Sequence, residues 1–463
     1  MTVSTADPGT ATGSATTGSA TTGSALLGDS RSLHRVVEDL AGGVRITHPV
    51  REALAHRELA SALSSWNSAP GDPDRFVASL FPEPAQISHV PFLPKERLLS
   101  PREKSAAAEA FARVLESCEF TSGPAVTAFE DAVADIAGLN CAVATGSGTD
   151  ALVIALRAVG VEPGDEVVLP ANSFAATENA VFACGAVPVL ADVTTDGNLD
   201  PVSVAEQVTP RTVAVLPVHL HGKLADMAGL RAVADRYALR IVEDACQAIG
   251  VTGVGRYSDA AALSFNPYKN VGLCGKAGAI VTDSAEIAER CRVAGYHGFA
   301  PGRKNVKCEA YGLNARLDNT MAAIGLALLP WTGLRGLRRT YLARRYVEAL
   351  RPLAEEGVLE TPVFAPDHSW HLFPVLVDGG APARDALRDE LARRNRVETD
   401  VYYPVLTHRQ QTPVRERFFG RARLPRTEWL HDRVLHLPLH AGLSLGEQDR
   451  VVEALYAATR PGR

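Results

Sequence analysis

From about residue 96 the chain alternates short apolar runs with amphipathic stretches, and this alternation limits the fold more than any other feature. Val167-Val-Leu, Val187-Pro-Val-Leu, Val213-Ala-Val-Leu, Arg240-Ile-Val and Ala261-Ala-Leu-Ser-Phe are too short for helices and mainly apolar. That is the pattern of strands buried on both faces. Helical spacing fills the gaps between them, as over 227–238. Strands and helices in this rhythm predict an α/β fold, a largely parallel sheet covered by helices. Ligands of such sheets sit at the carboxyl ends of the strands. The polar residues that end the runs are therefore the ones to read for chemistry.

The flanks differ. Residues 1–28 are mostly Thr, Ser, Ala and Gly, with a tandem pattern at Gly13 and Gly18. Such a segment buries too little surface to order itself, which predicts a disordered tail. Apolar residues recur with helical spacing near 33–40 and 50–66, and Pro70, Pro73, Pro82 and Pro84 follow. This predicts a helical N-terminal extension over 29–95. The sheet pattern predicts a large domain over 96–330. The Arg-rich remainder, 331–463, predicts a smaller C-terminal domain of mixed α and β.

Net charge is −6 over 463 residues, which disfavours nucleic acid or an anionic membrane as the main partner. No run of about 18 apolar residues suggests a membrane span. The seven cysteines are an odd number with no paired zinc-type spacing. They read as free, buried thiols in a reducing cytoplasm.

Three constellations carry chemistry. In Ala144-Thr-Gly-Ser-Gly-Thr-Asp a small-residue turn opens a helix over 151–158. Backbone N–H groups at a helix start favour an anion. Alone, the turn fits an ordinary capped helix as well as a phosphate site. Val242-Glu-Asp-Ala-Cys-Gln places a carboxylate, Asp244, at a strand end. Ser264-Phe-Asn-Pro-Tyr-Lys places Lys269 between apolar residues and glycines. The chain has only seven lysines against 40 arginines, so a lysine in that setting points to a need for an amine. Arginine is never deprotonated in proteins, whereas a buried lysine can be and can form an imine. A phosphate turn, an Asp about 95 residues later and a Lys 25 beyond it are the parts pyridoxal 5'-phosphate needs.

From Val90 onward the chain resembles the DegT/StrS sugar aminotransferases, pyridoxal-phosphate enzymes of fold type I. The resemblance rests on Val90-Pro-Phe-Leu-Pro, Phe120-Thr-Ser-Gly-Pro, Pro170-Ala-Asn-Ser-Phe, Ser264–Lys276 and Thr399-Asp-Val-Tyr-Tyr-Pro. It covers about four-fifths of the chain. The motifs are most similar to the branch that aminates carbon 3 of 3-oxo-glucose 6-phosphate with glutamate, giving kanosamine 6-phosphate. That branch also carries a long N-terminal extension.

The resemblance implies a role for each matching residue. Lys269 forms the imine with the cofactor and shuttles protons, and Asp244 pairs with the pyridine nitrogen. Gln247 bonds the ring hydroxyl and Phe174 stacks on the ring. Gly148, Thr149 and Ser264 hold the phosphate. Asn314 reaches the neighbouring subunit's cofactor, which implies a homodimer with composite sites. His221 stands where many relatives have Tyr. It is either a substrate contact or a packing substitution, while His219 and His297 read as scaffold. Arg303, Lys304 and Lys307 form either a solvated loop or a lid for the sugar phosphate. Tyr402, Tyr403, His408 and Gln410 are further substrate-contact candidates. Two other functions fit the family: amination of a nucleotide-linked keto-sugar, and non-catalytic regulation by cofactor sensing, with 29–95 binding DNA.

Overall fold

The computed structural model describes residues 87–460, apart from 304, 366, 367 and 421. The readings made for 1–28 and for most of 29–95 lie outside the described residues.

Seven strands form one sheet: β1 (Cys141–Thr145), β2 (Glu166–Pro170), β3 (Val187–Ala191), β4 (Thr212–Val215), β5 (Arg240–Asp244), β6 (Ala260–Ser264) and β7 (Gly278–Thr282). Their order is β1-β7-β6-β5-β4-β2-β3. Neighbours from β6 through to β3 run parallel, and β7 is antiparallel to both β1 and β6. Each strand read from the sequence is present. The strands β1 and β7 are additional. The first is masked in the sequence by the small-residue turn that follows it, and the second by the glycines that precede it.

Burial on both faces explains the apolar runs. In β6, Ala260 and Ala262 pack into one core with Leu152, Ile154 and Leu169, while Ala261 and Leu263 pack into the opposite core with Phe129 and Phe265. Alternate residues point to opposite faces, so a strand covered on both sides must be apolar at every position.

A second sheet, β10-β9-β8, is antiparallel: β8 (Leu359–Glu360), β9 (Phe373–Val377) and β10 (Val434–Leu437). The helices Thr332–Glu355 and Leu445–Thr459 bury Tyr346, Leu350, Val451 and Leu455 against it. Val90 joins this core and bridges to Val397. Ser444 and Glu447 cap the last helix reciprocally, and Glu447 also takes Arg97 at 2.7 Å. Val90 and Arg97 thereby tie the first described residues to the C-terminal unit.

All seven cysteines are free, but the expectation that they are buried needs correction. Only Cys184 and Cys291 are buried, and Cys118, Cys274 and Cys308 are exposed. Cys118 takes the left-handed cap position after the helix Pro101–Ser117, which faces outward. No described helix is long and apolar enough to cross a membrane.

Parallel strand ends place the candidate residues together. The turn 146–148 follows β1, Phe174 follows β2, Asp244 ends β5 and Ser264 ends β6. The close packing at that edge depends on Gly278, where a Cβ would meet the carbonyl oxygen of Ser147 at 2.4 Å and the nitrogen of Gly148 at 2.7 Å. Both obstacles are backbone and cannot rotate away. The Gly278→Ala variant is expected to lose about 1–3 kcal/mol in a denaturant titration.

Candidate active site

The helix after β1 begins at Gly148, three residues earlier than the sequence pattern indicates. Ser147 caps it, accepting from the N–H of Asp150 at 3.1 Å. The N–H groups of Gly148 and Thr149 then have no acceptor among the described residues. Such groups at a helix start form an anion site. Ser264 closes the cradle: a Cβ on Gly148 would lie 2.8 Å from the Ser264 Cβ. The Ser264 Oγ accepts from the Asn266 N–H at 3.3 Å, which leaves its proton free to donate.

Asp244 is 5% exposed. Its Oδ2 accepts from the Thr177 hydroxyl at 2.8 Å and its Oδ1 from the Cys246 N–H at 3.2 Å. A carboxylate has capacity for further donors. Thr177 was not singled out from the sequence. It lies three residues after Phe174, on the same helix face, which is the signal that could have found it. Phe174 is 60% exposed at the start of that helix, a large apolar ring left open at the strand ends.

Lys269 is half-buried, and its Nζ has no hydrogen bond or ion pair among the described residues. Burial lowers its pKa from the ordinary lysine value, against the smaller opposing pull of Cys246 and Asp244. The amine is thereby easier to deprotonate. Cys246 has the reverse problem: burial, then the Asp244 charge, pushes its thiol well above the usual range and keeps it neutral.

Gln247 sits at the centre of one wall. Its Nε2 donates to the Tyr403 hydroxyl at 2.9 Å, and its Oε1 accepts from the His221 N–H at 2.9 Å. Tyr402 stacks edge-on against Tyr403, with ring centroids 5.1 Å apart. His221 adopts φ 59° and sets its Nε2 3.0 Å from the Nε2 of His436. One ring therefore donates and the other accepts. Burial lowers both pKa values, that of His436 to about 4, so both rings are neutral at physiological pH. His221 also lines a cavity of about 430 Å³ with Asn172, Asp196, Lys223, His368 and Tyr403.

The other candidate histidines are hydrogen-bonded or packed within the fold. The Nδ1 of His219 accepts from the Ala225 N–H, so its Nε2 carries the proton and donates to Glu243 at 2.9 Å. This is a scaffold role. His408 is held by Glu428 at 2.8 Å, which ties it to the helix Pro425–Arg433, and Gln410 by the Val405 carbonyl at 3.2 Å, which ties it to its own segment. His297 packs between Tyr296 and Phe299. Lys304 lies outside the described residues; Arg303 and Lys307 beside it are exposed. Asn314 is exposed on a segment bridged to Tyr296.

An anion cradle of free N–H groups, a buried carboxylate and a less basic free amine suit the phosphate, ring nitrogen and aldehyde of pyridoxal phosphate. This donor set on this sheet defines a pyridoxal-phosphate-dependent transferase of fold type I. Residues 101–456 match the model of the DegT/DnrJ/EryC1/StrS aminotransferase family. The chain belongs to that family. It is 46% identical over 374 residues to the 3-oxo-glucose-6-phosphate:glutamate aminotransferase of Bacillus subtilis, covering 80% of this chain and 84% of that one. It is 40% identical to the dTDP-3-amino-3,4,6-trideoxy-alpha-D-glucose transaminase of Streptomyces venezuelae, covering 80% and 96%. The crystal structure of NtdA from Bacillus subtilis with bound cofactor PMP superposes with a TM-score of 0.84 at 41% identity, covering 93% of this chain and 97% of that one. The protein is thus an aminotransferase, and its cofactor is pyridoxal phosphate.

The lowered lysine pKa has a direct consequence. Only the neutral amine attacks an aldehyde, so capture of added pyridoxal phosphate by cofactor-free protein should accelerate with pH through a midpoint below 10.5. Stopped-flow absorbance measures this, and a midpoint at or above that value would contradict the environment described.

Proposed function

We propose that the protein moves the amino group of glutamate to carbon 3 of 3-oxo-glucose 6-phosphate, producing kanosamine 6-phosphate. The observation that carries this reading is the 46% identity to an aminotransferase of that name over four-fifths of the chain. The site residues supply the steps the reaction needs. The Gly148 and Thr149 N–H groups, with the Thr149 and Ser264 hydroxyls, hold a phosphate dianion. Asp244, fixed by Thr177, keeps a proton on the nitrogen opposite it. Lys269 takes the proton from the α-carbon of glutamate and later delivers one to the product carbon. One base placed near both carbons serves each transfer. When bound, pyridoxal phosphate supplies the electron sink and carries nitrogen from one substrate to the other. Phe174 covers the ring face, and Gln247 offers its second amide proton to the ring hydroxyl.

His221, Tyr402 and Tyr403 form the wall on which the sugar rests, with Lys304 as a further candidate contact. Asn314 belongs to a composite site: exposed in one subunit, it completes the phosphate cradle of a second copy. The reaction is cytoplasmic in this reading.

Mass spectrometry of reactions containing glutamate and either 3-oxo-glucose 6-phosphate or a nucleotide-linked 3-keto-sugar tests the substrate. Amination of the former supports the proposal. Activity confined to the latter would replace it with the reading that the Streptomyces relative suggests. A gel shift with DNA should show no binding at physiological salt. The dimer has its own test: the inactive variants Lys269→Ala and Asn314→Ala, unfolded and refolded together, should regain activity that neither shows alone.

A further inference from the structure

The cavity that His221 lines is separate from the cofactor site. It holds about 430 Å³, and none of Gly148, Asp244, Ser264 or Lys269 borders it. It lies where the loops after β3 and β4 meet β8, β9 and β10. Ligand sites concentrate at such junctions between structural units. One donor in its wall is unmet. His368 is 7% exposed and borders the cavity. Its Nδ1 accepts from the Trp370 N–H at 2.9 Å, so its Nε2 carries the proton. That Nε2 has no acceptor among the described residues. The ring stacks on Trp370, with centroids 3.8 Å apart and planes 3° from parallel, so it cannot turn away. Burial, then the Lys223 charge, lowers its pKa to about 3, which leaves a neutral donor.

The charged part of the wall is acidic. Asp196, Asp226 and Glu360 border the cavity against one lysine, Lys223, which already pairs with Asp196 at 2.7 Å. Asp226 and Glu360 have no cation partner among the described residues. Leu376, Leu406 and Leu430 make another side apolar. Each feature narrows the ligand. Unpaired carboxylates attract a cation and repel a phosphate. The His368 proton calls for a hydroxyl or ring oxygen. The leucines suit the C–H face of a ring. A pyranose with a protonated amine and no phosphate meets all three demands. The sugar phosphates of the reaction itself do not.

The cavity also reaches the catalytic wall. His221 and Tyr403 border it, and both hold Gln247: the His221 N–H donates to its Oε1 at 2.9 Å, and the Tyr403 hydroxyl accepts from its Nε2 at 2.9 Å. The His221 ring meets that of His436, which borders the cavity from β10. Displacing either holder loosens Gln247. We propose that this cavity is an effector site for an unphosphorylated amino sugar. Asp226 and Glu360 take its ammonium, the His368 Nε2 donates to one of its oxygens, and occupancy slows turnover through His221 and Tyr403. Hydrolysis of the product's phosphate ester by water gives such a molecule and inorganic phosphate. That source rests on the function proposed above; the site itself does not.

The test is calorimetric titration of the full-length holoenzyme with kanosamine as the probe. Saturable binding is expected, with glucose and kanosamine 6-phosphate each at least about tenfold weaker. Glu360→Lys, at an exposed position in β8, replaces an attraction by a repulsion and should weaken kanosamine by about tenfold. Its kcat without kanosamine should match the wild type. His368→Leu should weaken binding about fivefold. If that variant fails to fold, Glu360→Lys decides alone. No saturable binding, equal affinity in the wild type and Glu360→Lys, or equal affinity for glucose would overturn the proposal. So would equal affinity for spermidine, which would show that charge alone is read. In steady-state assays kanosamine should lower kcat and leave KM for the keto-sugar phosphate unchanged. A rise in KM alone would place kanosamine in the active site and overturn the proposal. The calorimetric arms need no turnover, so failure to aminate 3-oxo-glucose 6-phosphate would remove the proposed function and leave this site standing.

Discussion

The buried carboxylate of Asp244 is the constraint on which the rest of the site depends. A charge at that depth is expensive unless it is hydrogen-bonded. The fold meets the cost with the Thr177 hydroxyl and the Cys246 N–H. The backbone of the same residue ties the end of β5 to the loop after β4, since its N–H donates to the Pro217 carbonyl and its own carbonyl accepts from the His219 N–H. The helix after β2, the loop after β4 and the end of β5 are therefore pinned at one point. Lys269 and Cys246 lie within the influence of that charge: it opposes the burial that makes the amine less basic, and it adds to the burial that keeps the thiol protonated.

Around that point the site is built mostly from neutral groups. The anion cradle is two backbone N–H groups and two hydroxyls, and the opposite wall is Gln247, two tyrosines and a set of neutral histidines. Fixed dipoles of this kind bind charge without adding net charge of their own. This is how a chain with a net charge of −6 can hold the phosphate of its cofactor. Overall charge spoke only to polyanions.

The sequence made the chemistry more legible than the architecture that supports it. Lys269 stood out because lysine is rare in an arginine-rich chain, and Asp244 and Ser264 because each ends an apolar run. The strands β1 and β7 were hidden by adjacent small residues, and the true start of the helix at Gly148 was hidden by glycine, which carries no helix signal of its own. What could not be read were partners distant in the chain. His221 meets His436, 215 positions away, and His371 meets Asn270, 101 positions away. A pattern of local spacing has no access to such pairs, so a histidine's role depended on tertiary neighbours. The cysteines misled for a similar reason, because an apolar flank does not report a left-handed cap position such as that of Cys118.

Cradle, carboxylate and amine form one site only if Lys269 is the lysine that carries the cofactor. Borohydride reduction of the native protein, followed by digestion and peptide mass spectrometry, fixes the pyridoxyl group to one side chain. The structure predicts that the added mass resides on Lys269. A pyridoxyl group on any of the other six lysines, or none at all, would contradict the assembly of cradle, carboxylate and amine described above.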